Sequence, residues 1–103
     1  MRLEYYPAEK LKKEVLNIAG KHLNLSKYKL FFFGSRVTGK GNDRSDIDIG
    51  IEGQEAVSPF RINVIQEELF NNIDTLYKID VVDFSEADEK FKQVAKEKVE
   101  YLN

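Results

Sequence analysis

The segment Phe31-Phe32-Phe33-Gly34-Ser35-Arg36 is followed, with ten residues between Ser35 and Asp46, by Asp46-Ile47-Asp48. This spacing restricts the fold more than any other feature of the chain. A hydrophobic strand must end in a Gly-Ser turn, and a second strand carrying two carboxylates must begin soon afterwards. Side chains at i and i+2 of a strand share a face. Asp46 and Asp48 therefore point one way, while Ile47, Ile49 and Ile51 point the other. Two like charges ~4 Å apart at an effective dielectric near 20 repel by roughly 4 kcal/mol. Such a pair calls for a partner, and a hard divalent cation suits it. Magnesium is typically held by one or two carboxylates plus substrate phosphates. A Gly-Ser turn entering a helix offers backbone N–H groups to those phosphates.

Two better-known phosphate and metal motifs come close and fail. Gly34-Ser35-Arg36-Val37-Thr38-Gly39-Lys40-Gly41 nearly spells the P-loop, but Gly41 stands where the magnesium-binding hydroxyl belongs. The second strand also arrives too soon for the long helix that a P-loop opens. An EF-hand beginning at Asp46 would need a third ligand at Gly50 and a bidentate glutamate at Val57.

The rest of the chain supplies alternating helices and strands. Pro7 suits a helix start, and Ala8, Leu11, Val15, Ile18, Ala19 and Leu23 recur at helical spacing, which predicts a helix over about 8–23 with Gly20 as a weak point. Lys29–Phe33 reads as a strand buried on both faces, residues 35–40 as a short helix, and Asp46–Ile51 as the second strand. Ser58-Pro59 starts a helix whose stripe Ile62, Ile65, Leu69 and Ile73 ends it near Ile73. Tyr77–Phe84 is β-rich. Ser85, with Asp88 three residues on, resembles a capping box before a last helix striped by Phe91, Val94, Ala95, Val99 and Leu102. The expected fold is α/β (α+β), in the order αβαβαβα, with a short mixed sheet flanked by helices. We read residues 1–103 as one domain, since the chain is long enough for one core and not two.

Composition removes several classes of function. The net charge of −2 advertises no nucleic-acid binding, and the absence of Cys excludes disulfides and Cys-based zinc sites. The N-terminus has no signal-peptide core, and the apolar run Leu30–Phe33 is far too short to span a membrane. A soluble cytoplasmic protein is the expectation.

A third carboxylate stands out. Asp80 lies in the middle of Ile79-Asp80-Val81-Val82-Asp83, where a charge is costly unless paired or metal-bound. If this strand neighbours the second, Asp80 points at the Asp46/Asp48 face; otherwise it is an exposed residue on an edge strand. Asp83 takes the opposite face and is the weaker candidate. Arg36 has two readings, a contact to phosphate, whose geometry guanidinium matches, or a solvated turn residue. Lys40 and Arg44 make the loop basic and either steer a nucleotide or are plain surface charges. Ser45 is placed to fix the start of the second strand by hydrogen bonding. His22 reads as a surface residue, and no pattern singles out one of Tyr5, Tyr6, Tyr28, Tyr77 and Tyr101.

The pattern G-S-x10-D-x-D, followed by a strand bearing an aspartate, resembles the nucleotidyltransferase superfamily that includes DNA polymerase β and kanamycin nucleotidyltransferase. The chain's shortness resembles its minimal nucleotidyltransferase (MNT) branch. The resemblance implies that Gly34 and Ser35 bind the β- and γ-phosphates of a nucleoside triphosphate. It implies that Asp46 and Asp48 hold one or two magnesium ions, and that Asp80 completes the site and helps deprotonate the acceptor hydroxyl. It further implies an all-helical HEPN partner, often a ribonuclease toxin, which the MNT protein neutralises by transferring AMP from ATP to a tyrosine. Larger members of the superfamily carry a second domain, for which this chain has no residues left. Two other functions remain open at this point, steric inhibition of a partner without catalysis and transfer to a small molecule such as an aminoglycoside. Nucleic-acid polymerisation fits least, given the acidic balance and short length.

Overall fold

The computed structural model describes residues 1, 3–39 and 45–103. Among these the elements are α1 (Ala8–Ala19), β1 (Lys29–Phe33), α2 (Ser35–Thr38), β2 (Ile47–Glu52), α3 (Pro59–Asn72), β3 (Ile79–Asp83), α4 (Glu89–Ala95) and β4 (Glu100–Tyr101). The strands form a mixed sheet in the order β3-β2-β1-β4. β1 and β2 are antiparallel, with Phe33 opposite Asp48. β2 and β3 are parallel, with Asp48 opposite Asp80. A parallel pair needs a crossover, which α3 provides.

Strand alternation sorts the sheet into two faces. Leu30, Phe32, Ile47, Ile49 and Ile51 point to one side and pack with Leu11, Val15 and Ile18 of α1 and Ile65 and Leu69 of α3 in a continuous apolar core. Phe31 and Phe33 point to the other side. Phe84 meets their rings edge-on at centroid distances of 5.1 and 5.0 Å, and Phe91 of α4 joins it at 5.2 Å. Gly50 makes this packing possible, because a Cβ there would collide with the Phe31 ring. Glu52 binds Lys92 at 3.2 Å and also Lys96, tying α4 to the end of β2.

Several expected boundaries move. α1 stops at Ala19 rather than 23, with Gly20 as its C-cap, and Leu23 stays buried through a further turn closed by its N–H donating to the Ala19 carbonyl. The start of α3 is as expected: Ser58 accepts a hydrogen bond from the Arg61 N–H, and Pro59 opens the helix. The proposed capping box is different. Asp88 is the N-cap of α4 and accepts from the Lys90 N–H, while the Ser85 hydroxyl accepts from Gly53.

The largest departure is at the end of the chain. The last helix does not reach Val99 and Leu102, because Glu100 and Tyr101 form β4 against Phe32 and Phe31. Without β4, β1 would leave its outer backbone groups unpaired. The Leu102 N–H donates to the Leu30 carbonyl at 2.8 Å, and the Asn103 side chain accepts from the Leu30 N–H at 2.8 Å. The fold class is as expected, and the element order gains a final strand.

Candidate active site

Gly34 leaves β1 at φ 84° and ψ −163°, a conformation that a residue with a side chain rarely adopts. A Cβ at this position would also collide with Oδ2 of Asp48. The Gly-Ser turn is therefore pressed directly against the middle carboxylate. The Gly34 carbonyl accepts from Val37 and Thr38, and Gly39 at φ 80° ends the short helix. The amides of Ser35 and Arg36, in its first turn, meet no acceptor among the described residues.

Across β2 from this turn stands Asp80, in register with Asp48. Burial raises the Asp48 carboxyl above the ordinary carboxylate range; the carboxylates of Asp80 and Asp46 raise it further, and Lys78 offsets them in part. Lys78 approaches Asp80 at 3.9 Å, but with 70% of its side chain exposed it is a weak counter-charge. Three like charges thus share one end of one face. They do not close round a point: among the described residues no three His, Cys, Asp or Glu side chains form a ready-made metal nest. Magnesium does not need one when a substrate brings phosphate oxygens, so hard carboxylates beside a turn with open amides still suit it.

Arg36 is neither solvated nor reaching outward. Its Nε donates to the Ser45 carbonyl at 3.1 Å, and its guanidinium lies 4.7 Å over the Tyr77 ring. Its Nη2 is buried and without a hydrogen-bond partner among the described residues. Ser45 thus holds the entry to β2 through its backbone carbonyl. Asp83 is a structural group, accepting from Val57 at 2.8 Å and Ser85 at 2.9 Å. His22 is mostly buried and faces Glu68 at 3.0 Å, joining the end of α1 to α3. Lys40 and Arg44 lie outside the described residues.

Two contributors have no signal in the sequence. Tyr77 carries Arg36 on its ring, and its hydroxyl accepts from the Glu4 and Tyr5 amides, each at 3.1 Å. Gln66 of α3 clamps the outer edge of β3 on both sides of Asp80. Its Oε1 accepts from the Val81 N–H at 2.8 Å, and its Nε2 donates to the Ile79 carbonyl. Beside Asp46 lies a cavity of about 450 Å³ lined by Tyr5, Asp46, Asp74, Thr75, Leu76, Tyr77 and Lys78. Another, of about 360 Å³ around Tyr28 and Glu55, sits at the opposite end of β1 and β2, away from the carboxylates.

A small mixed sheet with a Gly-Ser turn set against paired aspartates is the architecture of a nucleotidyl-transfer domain. Residues 11–102 match the family described as polymerase beta, nucleotidyltransferase, and the chain belongs to that family. It is 31% identical over 67 residues to the probable protein adenylyltransferase MntA of Haemophilus influenzae. The match covers 65% of this chain and 58% of that protein, so the chain spans less than two thirds of its relative's length. The fold is similar to a chain in the structure of a tri-AMPylated Shewanella oneidensis HEPN toxin in complex with MNT antitoxin. There the TM-score is 0.69 and the identity 17%, over 92% of this chain and 71% of that one. A toxin–antitoxin crystal structure with AMP-PNP also gives a TM-score of 0.69, with 20% identity over 94% of this chain and 73% of that one. No helix among the described residues is long and apolar enough to cross a membrane.

Proposed function

We propose that this chain is a magnesium-dependent protein adenylyltransferase, the MNT antitoxin of a toxin–antitoxin pair, which transfers AMP from ATP to a tyrosine hydroxyl of a HEPN partner. The observation that carries this reading is the contact of Gly34 with Asp48, itself in register with Asp80. This contact sets a phosphate-sized turn on one flank of a carboxylate pair and a third carboxylate on the other. The relative named as a protein adenylyltransferase and the toxin–antitoxin structures of similar fold support it.

Each residue then has a task. The Ser35 and Arg36 amides hold the β- and γ-phosphates, with the Gly34 turn letting them approach Asp48. Arg36 braces the turn against Ser45 and Tyr77, and its guanidinium charge favours the triphosphate held beside it. Asp46, Asp48 and Asp80 are the oxygen ligands for magnesium. When bound, magnesium neutralises the carboxylates and the triphosphate and stabilises charge on the attacking and leaving oxygens. Asp80 takes the proton of the acceptor hydroxyl. The acceptor oxygen forms its bond to the α-phosphorus as the bond from that phosphorus to the bridging oxygen breaks, and pyrophosphate leaves with that electron pair. Most of the rate comes from positioning and charge stabilisation. ATP as the donor sets the reaction in the cytoplasm.

The test is incubation with α-labelled ATP, magnesium and a HEPN protein from the same genome. Label should appear on a partner tyrosine and vanish in the Asp46→Asn, Asp48→Asn double variant. A double variant that neutralises the toxin as well as the wild type would show steric inhibition instead.

A further inference from the structure

We propose that Tyr77 is a positioning residue for the nucleoside triphosphate, acting through Arg36, whose guanidinium it holds beside the phosphate turn with its charge uncancelled. This inference rests on the reading of the Gly-Ser turn as the triphosphate site and adds what sets the strength of that site.

The Arg36 side chain stands where the segments of the site converge. It follows directly on the Gly34-Ser35 pair. Its Nε donates at 3.1 Å to the carbonyl of Ser45, the residue before Asp46. Its guanidinium lies 4.7 Å over the ring of Tyr77, in the segment that leads into β3 and Asp80. One side chain thus ties the turn to the entries of both carboxylate strands. Those two entries are themselves joined, because the Ile47 N–H donates to the Lys78 carbonyl at 2.8 Å.

The way Arg36 is held decides what it can do. A guanidinium commonly pairs with a carboxylate, whose charge then cancels its own. Among the described residues no carboxylate forms an ion pair with Arg36. A carbonyl oxygen and a ring face hold it instead, and both attract a cation without carrying a net charge. The positive charge therefore stays available to a polyanion at the adjoining turn, where Asp46, Asp48 and Asp80 would otherwise repel it.

The ring that carries this charge is itself fixed. Tyr77 is half-buried. Its hydroxyl accepts from the Glu4 and Tyr5 amides, each at 3.1 Å, and its own N–H donates to the Thr75 hydroxyl at 3.2 Å. The Tyr5 ring lies 6.3 Å from it, centroid to centroid. Without the ring face the guanidinium keeps only the Ser45 carbonyl, and a long side chain with one tether regains rotamer freedom that nucleotide binding must then remove.

Calorimetric titration with MgAMP-PNP tests this on the wild type, Tyr77→Leu, Tyr77→Phe, Arg36→Gln and the double variant Arg36→Gln, Tyr77→Leu. Tyr77→Leu should weaken binding by about tenfold, and Tyr77→Phe, which keeps the ring, should stay within about twofold of the wild type. In the Arg36→Gln background, adding Tyr77→Leu should change the affinity by less than about twofold, because the residue through which it acts is gone. Wild-type affinity in Tyr77→Leu, a loss in Tyr77→Phe as large as in Tyr77→Leu, or an undiminished loss in the Arg36→Gln background each overturns the inference. If circular dichroism shows Tyr77→Leu unfolded, Tyr77→Met takes its place, and NMR of the wild type decides alongside it. There the Arg36 Nε–H and Tyr77 ring signals should move with MgAMP-PNP and stay in place with adenosine; signals that ignore MgAMP-PNP overturn the inference. A wild-type chain that binds no MgAMP-PNP refutes the triphosphate reading itself, and the inference with it.

Discussion

The two faces of the central sheet are built from the same strands and obey opposite rules. On the helix-covered face, Ile47, Ile49 and Ile51 are no more than 1% exposed and belong to an apolar core shared with α1 and α3. On the other face, the residues between them are Asp48 and Gly50, and the partners across the register are Asp80 and Val82. One face stabilises the fold. The other holds like charges together at one end, and needs an aromatic cluster and an ion-paired helix at the other to stay attached. Because a strand alternates, each isoleucine that anchors β2 also fixes the direction of the carboxylate beside it. Stability and chemistry are therefore coupled through register alone.

This contrast can be broken most severely at Asp48. Asp48→Asn should lower transfer of AMP to the partner by about 1,000-fold, as expected when charge stabilisation is lost. The same change relieves repulsion, so in metal-free buffer the variant should melt several degrees above the wild type in a calorimetric scan. A variant that melts lower would mean that this face is not under electrostatic strain. On the opposite face the order reverses. Ile49→Ala should cost about 2–5 kcal/mol by urea denaturation, because it opens a cavity where Ile49 is 1% exposed.

A smaller effect is expected at the seam between the faces. Gln66→Leu releases both backbone groups flanking Asp80. We expect kcat to fall about tenfold with the KM for ATP unchanged, and Gln66→Glu, which keeps an acceptor for the Val81 N–H, to lie in between. Equal losses in kcat and thermal stability without that ordering would reduce Gln66 to a structural contact.

The smallest effect concerns Glu52. Burial pushes its carboxyl up, but hydrogen bonds and charge from Lys96 and Lys92 outweigh this and hold it below the ordinary glutamate value of about 4.5. Its folded-state value is thus below the unfolded one. The stabilisation is complete above the unfolded value and is lost as pH falls through the folded one. Since the three side chains remain partly exposed, we expect under about 1 kcal/mol. Urea midpoints at neutral and acid pH should converge for wild type and Glu52→Gln only at acid pH.

The parts of this arrangement that were legible in the sequence are those written in local spacing. The triple phenylalanine, the Gly-Ser turn and the Asp-x-Asp alternation are contiguous signals; the position of Asp80 was open in the sequence, and the pairing of β3, an edge strand, with β2 places it opposite Asp48. The parts that were not legible depend on distant partners. Tyr77 meets Arg36 only after the chain has crossed the sheet, so nothing near either residue announces the stack. β4 consists of two residues whose strand character comes from the unsatisfied edge of β1 and not from their own propensity. The helical stripe that continues through Val99 and Leu102 is real as a pattern, but backbone pairing with β1 overrides it. Gln66 looks like any polar residue of a helix until β3 is laid beside it.

The clamp made by Gln66 has a consequence for how other chains can approach. β3 forms one border of the sheet, and a bare border invites a foreign strand to zip onto it. Here the amide of Val81 and the carbonyl of Ile79 are already occupied by one side chain. Main-chain augmentation is therefore blocked at the rung next to Asp80, and a visitor to that flank must be recognised by its side chains. The same amide group that aligns a carboxylate also protects this border from self-templated aggregation.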